Sequence, residues 1–169
     1  MKPIFLIGFM GAGKTTLGKQ LAKKLYAAFA DTDQQICINN QTDTVAELIK
    51  KNGMDFFRAQ EQVALHQVAK KNTVVATGGG APCFFDNLEW MKKNGTVVYI
   101  ELDKKTLFHR LKQSNLNERP LLAGKTDTEL EQYIIQTLQD RRAYYEQAQI
   151  IFNPLKDKLE VLAKLLIDY

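Results

Sequence analysis

"IFLIGFMGAGKTTLGKQLAKKL", Ile4 to Leu25, decides the fold. Four consecutive apolar residues, Ile4 to Ile7, run into Gly8-x-x-x-x-Gly13-Lys14-Thr15, and Leu17, Leu21 and Leu25 then recur at helical spacing. A strand, a glycine-rich turn and an amphipathic helix, in that order, are the context in which this spacing binds nucleotide phosphates. Glycines let backbone N–H groups close around phosphate oxygens, and the helix N-terminus adds partial positive charge. Lys14 is then expected to reach the β- and γ-phosphates, and the Thr15 hydroxyl to ligate Mg²⁺.

A dinucleotide-binding loop is the competing reading, because Gly11-Ala12-Gly13 starts G-x-G-x-x-G. Thr16 stands where the third glycine belongs, and such a loop has no use for Lys14-Thr15. Asp31 and Asp33 nevertheless lie near the distance at which that motif places a ribose-binding acid.

Outward from the loop, strand-like apolar runs recur at Ile4–Ile7, Ala28–Ala30, Thr73–Thr77, Thr96–Glu101 and Gln149–Phe152, with helical periodicity between them. Strands alternating with helices predict an α/β fold, a parallel sheet covered by helices on both faces. The segment from Asp33 to about Lys71 is too long for one crossover helix and is expected to form a small helical subdomain over one end of the sheet. Ser114 to Gly124, "SNLNERPLLAG", is polar, contains Pro120 and ends in glycine, and reads as a mobile flap.

At 169 residues the chain has room for one domain with a proper core. Its net charge of +4 comes largely as lysine pairs, and Lys23-Lys24, Lys50-Lys51, Lys70-Lys71 and Lys92-Lys93 each close a periodic segment. Cations there complement the helix dipole, so the pattern argues against a nucleic-acid-binding stripe. Two cysteines, Cys37 and Cys83, in no metal-binding spacing, suit reduced thiols in a cytoplasmic protein. No run approaches the ~20 apolar residues of a membrane span, and the glycines at 8 and 11 spoil any cleavable leader.

Two aspartates and a few arginines complete the chemistry. The strand "TVVAT" ends in Gly78-Gly79-Gly80, so the acid that usually follows a second core strand in phosphate-loop enzymes is missing there. Asp31 and Asp33 in "FADTD" are the best replacements, and their two-residue spacing predicts that they point the same way from the C-terminal end of a strand. One would face the metal and the other a substrate proton; alternatively, Asp33 caps a helix starting near Gln34. Against eighteen lysines stand five arginines, at 58, 110, 119, 141 and 142, which suit sites needing a planar, bidentate donor. Arg58 could instead pair with Glu61 at i,i+3, Arg119 could be a solvated loop charge, and Arg141 or Arg142 could only complement a helix dipole.

Together, "GFMGAGKTT", "FADTD", "GMDFFRAQE", "TGGGA", "RPLLAG" and "RRAYYEQA" resemble the shikimate kinase family, in that family's order and over nearly the whole chain. The resemblance implies a single domain over residues 1–169. Its architecture would be that of nucleoside-monophosphate kinases, a three-layer sandwich with a five-stranded parallel sheet, a substrate-binding subdomain at about 33–61 and a lid at about 114–124. It implies a cytoplasmic, monomeric enzyme of aromatic amino acid biosynthesis that moves the γ-phosphate of ATP to shikimate with Mg²⁺. By position, Gly11, Ala12, Gly13, Lys14, Thr15 and Thr16 would cradle ATP. Thr15 would hold Mg²⁺, with Asp31 near the ion through water. Asp33 would bind the reacting hydroxyl, Arg58 and Arg141 the substrate carboxylate, and Gly79 would approach the substrate. Arg119 would reach the phosphates from the lid. Arg141 is preferred to Arg142 because it lies four residues before Tyr145. Cys37 and Met54 stand where the family often carries acids, and Arg110, Asn153 and Lys158 stay open as adenine contacts. A gluconate-kinase-like enzyme is the nearest alternative, and a catalytically inactive nucleotide-binding module the more distant one; the latter should lack Lys14, Asp33 or Arg119, all of which are present.

Overall fold

The computed structural model describes residues 1–114 and 119–167. Five parallel strands, β1 (Ile4–Ile7), β2 (Ala28–Asp31), β3 (Thr73–Ala76), β4 (Thr96–Ile100) and β5 (Ile150–Phe152), form one sheet in the order β2-β3-β1-β4-β5. The central strand is apolar at every position because both its faces are covered. Ile4 and Leu6 join one core with Leu21, Leu107, Ile134 and Leu162, while Phe5 and Ile7 join the other with Leu65, Leu88, Met91 and Tyr145. Period-2 alternation thus divides β1 between two helical layers.

Helix α1 (Lys14–Lys24) starts directly from the glycine loop, with Gly13 at φ 91° as its N-cap. The segment after β2 breaks into three helices, α2 (Thr32–Asn40), α3 (Val45–Asn52) and α4 (Met54–Val68), with a core of their own built on Ile36, Leu48, Phe57 and Ala64. Thr44 caps α3, and Gly53 at φ 85° separates α3 from α4. Next come α5 (Asn87–Asn94), α6 (Lys104–Lys112), α7 (Asp127–Tyr145) and α8 (Leu159–Ile167). A reciprocal capping box between Thr126 and Glu129 starts α7.

Three lysine pairs sit in last turns as expected, but Lys70-Lys71 does not. Helix α4 stops at Val68, because Ala69 leaves helical geometry and Lys70 N–H turns back to the Val68 carbonyl at 2.8 Å. Of the stretch read as a flap, 115–118 lie outside the described residues. Arg119 to Gly124 form turns anchored by Leu122, which is fully buried. Among the described residues no helix is long and apolar enough to cross a membrane.

Candidate active site

The glycine loop, Lys14, Thr15, Asp31 and Arg119 gather around one cavity where β1 ends. Lys14 is buried, and its Nζ donates to the Gly8 and Phe9 carbonyls at 2.7 and 2.9 Å, so the lysine lies across its own loop. Burial lowers its pKa to about 8, Arg141 and Arg119 adding to the fall while Asp33 and Asp31 oppose it. Thr15 Oγ1 donates to Asp31 Oδ2 at 2.8 Å. The other Asp31 oxygen accepts from Asp33 N–H at 3.0 Å.

That second bond corrects the reading of "FADTD". The strand ends at Asp31, and α2 begins at Thr32, so the two acids do not continue one strand. Asp31, not Asp33, is the helix cap. Asp33, freed from capping, stands in the first turn of α2. Between them, buried Thr32 accepts the Gly78 N–H on its hydroxyl at 3.1 Å, which ties β2's end to the glycine triplet.

Two cavities meet here. One, of about 300 Å³, is lined by the loop from Met10 to Thr16 together with Asp31, Asp33, Gly78, Gly79 and Arg119. The other, of about 340 Å³, runs between the sheet edge and the α2–α4 helices and is lined by Asp33, Arg58, Glu61, Gly78–Gly80, Arg119 and Arg141. Asp33 and Arg119 line both. The residue Asp33 is solvent-exposed where it borders both cavities, with protein atoms dense around it. Lost hydration raises its carboxyl to about 6; Asp31 adds to the rise, and Lys14, Arg58 and Arg119 pull against it.

The second cavity owes its shape to three glycines and two arginines. Arg58 and Glu61 form a buried ion pair at 2.7 Å, so the i,i+3 pairing and a place in the cavity coexist. Burial pushes the Glu61 carboxyl up, and the Arg58 guanidinium opposes the shift. A Cβ on Gly78 would lie 2.2 Å from Glu61 Oε1, and one on Gly80 2.7 Å from both Arg58 Nη atoms. Gly79 faces Arg141 Nη1 in the same way, at 3.3 Å, and its carbonyl accepts the Tyr145 hydroxyl at 2.6 Å. The triplet is therefore the floor on which both arginines rest. Among the described residues the buried atoms Arg58 Nε, Glu61 Oε1 and Arg141 Nη1 have no hydrogen-bond partner, so two donors and one carboxylate acceptor stand unspent around the cavity.

A single step along α7 separates the two C-terminal arginines in role. Arg141 lines the cavity, whereas Arg142 is exposed and pairs with Glu146 at 2.6 Å. Arg110 Nη1 donates to the Ala12 carbonyl at 3.2 Å and flanks Gly13. Asn153 closes its own turn, its backbone N–H donating to Asp157 Oδ2 at 2.7 Å and its side-chain Oδ1 accepting from Leu155 N–H at 3.0 Å. Glu61 was legible only as a possible Arg58 partner, and Tyr145 only as a spacing mark. Thr32 carried no signal of its own.

Oxygen chemistry at Thr15 and Asp31 suits Mg²⁺. A hydroxyl and a carboxylate oxygen sit 2.8 Å apart beside the phosphate loop, a hard-donor pair that leaves the remaining positions to water and phosphate. Among the described residues no group of three or more His, Cys, Asp or Glu side chains gathers to form an all-protein metal cage.

A family model described as Shikimate kinase matches residues 10–168. A shikimate kinase of Bacteroides fragilis is 48% identical over 158 residues, 93% of this chain and 86% of that protein. The crystal structure of shikimate kinase from Bacteroides thetaiotaomicron superposes with a TM-score of 0.87 at 45% identity, covering 99% of this chain and 97% of that one. Shikimate kinase from Acinetobacter baumannii, solved in complex with shikimate, gives a TM-score of 0.86 at 32% identity over 99% and 92% of the two chains.

Proposed function

Because this chain belongs to the shikimate kinase family, we propose that it transfers the γ-phosphate of ATP to the 3-hydroxyl of shikimate, releasing ADP. The observation that carries this reading is the junction of the two cavities at Asp33 and Arg119. One cavity is built for phosphates, and the other holds two arginines suited to a carboxylate.

In this reading Gly11 to Thr16 hold the nucleotide phosphates through backbone N–H groups and the start of α1. Lys14 exchanges the Gly8 and Phe9 carbonyls for phosphate oxygens. Thr15, with Asp31 through water, would hold Mg²⁺, which would supply charge neutralisation at the nucleotide phosphates. Arg58 and Arg141 grip the shikimate carboxylate, a planar acceptor that matches a guanidinium's parallel donors. The glycine floor lets the ring settle close to the backbone. Its hydroxyl then lies against Asp33, which orients the oxygen for attack.

As the new P–O bond forms, the bond from γ-phosphorus to the β-phosphate oxygen breaks and ADP departs. The hydroxyl proton passes to Asp33, whose raised pKa suits a group that must both accept and release it near neutrality. Arg119, lining both cavities, offsets the negative charge gathering on the transferred group.

A coupled ADP-release assay against a panel of acceptors tests the proposal. Shikimate should support turnover, while gluconate and a shikimate carboxamide should give little above the ATPase background. Equal rates with gluconate would overturn the assignment of the acceptor.

A further inference from the structure

Phe84 is a large apolar side chain with 38% of its surface exposed, in the turn that follows the glycine triplet. It does not line the acceptor cavity. Its ring centre lies 4.1 Å from Arg58 Cζ, closer than the Phe57 ring at 5.0 Å. We propose that Phe84 is a positioning residue: it fixes the plane of the Arg58 guanidinium, and through it the cavity's preference for a planar carboxylate. The proposal rests on shikimate being the acceptor only for its last clause.

The reasoning starts from what the ion pair leaves undone. Arg58 meets Glu61 through one Nη1–Oε2 bond at 2.7 Å, while Arg58 Nε and Glu61 Oε1 have no partner among the described residues. A single donor–acceptor bond fixes a point, and the guanidinium can still turn about it. Two-bond recognition of a carboxylate needs the plane fixed as well. An aromatic face does this without consuming an N–H, because it attracts the cation through its ring quadrupole. From below, Gly80 admits both Nη atoms to a distance that a Cβ would forbid.

The local backbone holds Phe84 in place independently of Arg58. Residues Ala81–Cys83 form a 3-10 turn, with Cys83 N–H donating to the Gly80 carbonyl at 2.9 Å. Buried Asn87 reaches back to the Ala81 carbonyl at 3.0 Å, and its own N–H reaches the Phe84 carbonyl at 3.3 Å. Phe85 then takes a left-handed conformation, φ 52°, that turns the chain into α5. Phe84 is thus mounted on a stapled turn, although its ring is partly in solvent. A purely space-filling role would place that ring inside the core.

The test compares wild type, Phe84→Leu and Phe84→Tyr, alone and in an Arg58→Lys background. Phe84→Leu should raise KM for shikimate about fivefold, as expected for loss of one cation–π contact, with kcat, KM for ATP and Tm little changed. Phe84→Tyr should restore the wild-type KM. In the Arg58→Lys background Phe84→Leu should add nothing, because an ammonium has no plane to align. Nitrogen-detected NMR of the Arg58 side chain, assigned through Arg58→Lys, should show two resolved Nη signals in wild type that merge in Phe84→Leu. Unchanged Nη signals, or a KM rise of equal size in both backgrounds, would overturn the proposal. If wild type fails to turn over shikimate while the signals still merge, Phe84 keeps its positioning role and the acceptor assignment alone fails.

Discussion

The phosphate cradle and the acceptor cavity share a wall, yet they are built on opposite plans. The cradle is local: Gly8 to Thr16 supply a turn, a helix start and a lysine within nine residues, and its main outside partner is Asp31. The acceptor cavity draws Arg58 and Glu61 from α4, Gly78–Gly80 from the end of β3 and Arg141 from α7. One side works through backbone N–H groups, which any sequence of that shape presents. In the proposed reading its neighbour works through guanidinium planes, which other side chains would have to hold. Damage should therefore spread differently on the two sides, and substitutions at and beside the junction measure how far they are separable.

The largest effect is expected at the junction itself. Asp33→Asn should lower kcat about 10²- to 10⁴-fold, the usual range for losing a proton-transfer group, while ATP binding by calorimetry stays within about twofold. A comparable loss of ATP affinity would mean that the acid belongs to the cradle, and that the two regions are not separable there.

A smaller and more selective effect should follow Gly80→Ala. Gly80 has ordinary helical dihedrals, so alanine brings no backbone strain. Its Cβ would meet the end of Arg58 rather than main chain. The guanidinium should shift, raising KM for shikimate on the order of tenfold, the scale of a weakened charged hydrogen bond, with little change in KM for ATP or in Tm. A fall in Tm without a change in KM would show that the triplet serves packing alone.

The smallest effect is the pH profile, which draws on both sides at once. Asp33 must be ionised to take the hydroxyl proton, so activity should rise as pH passes about 6. Lys14 must be protonated to hold phosphate, so activity should decline as pH passes about 8. The profile of kcat/KM should be a bell between these limbs, and the acidic limb should vanish in Asp33→Asn. Persistence of that limb in the variant would assign it to another group.

The same contrast explains what could be read from the chain. The cradle was legible because its ligands are neighbours, and all five strands announced themselves as apolar runs, each within a residue or so of its observed ends. Helical breaks inside 33–71 were harder, since they depend on Thr44 and Gly53 rather than on periodicity. The two aspartates of "FADTD" misled in geometry, because two-residue spacing cannot say where a strand stops being a strand. Arg58 and Arg141 stood out by being arginines among lysines. Glu61, Tyr145 and Phe84 did not, since what each does depends on a partner that only the fold brings near.

Asp33 and Arg119 border both cavities, and that fact has a use in inhibitor chemistry. A single compound could carry a carboxylated ring at one end and a phosphate mimic at the other, joined by a short tether threaded between these two side chains. Its second end would bind from a high effective concentration once the first was seated, so affinity would grow without any new contact. Nucleotide mimics alone would face every phosphate-loop enzyme in the cell. A tethered compound would be selected by the arginines, where this chain is least like a generic one.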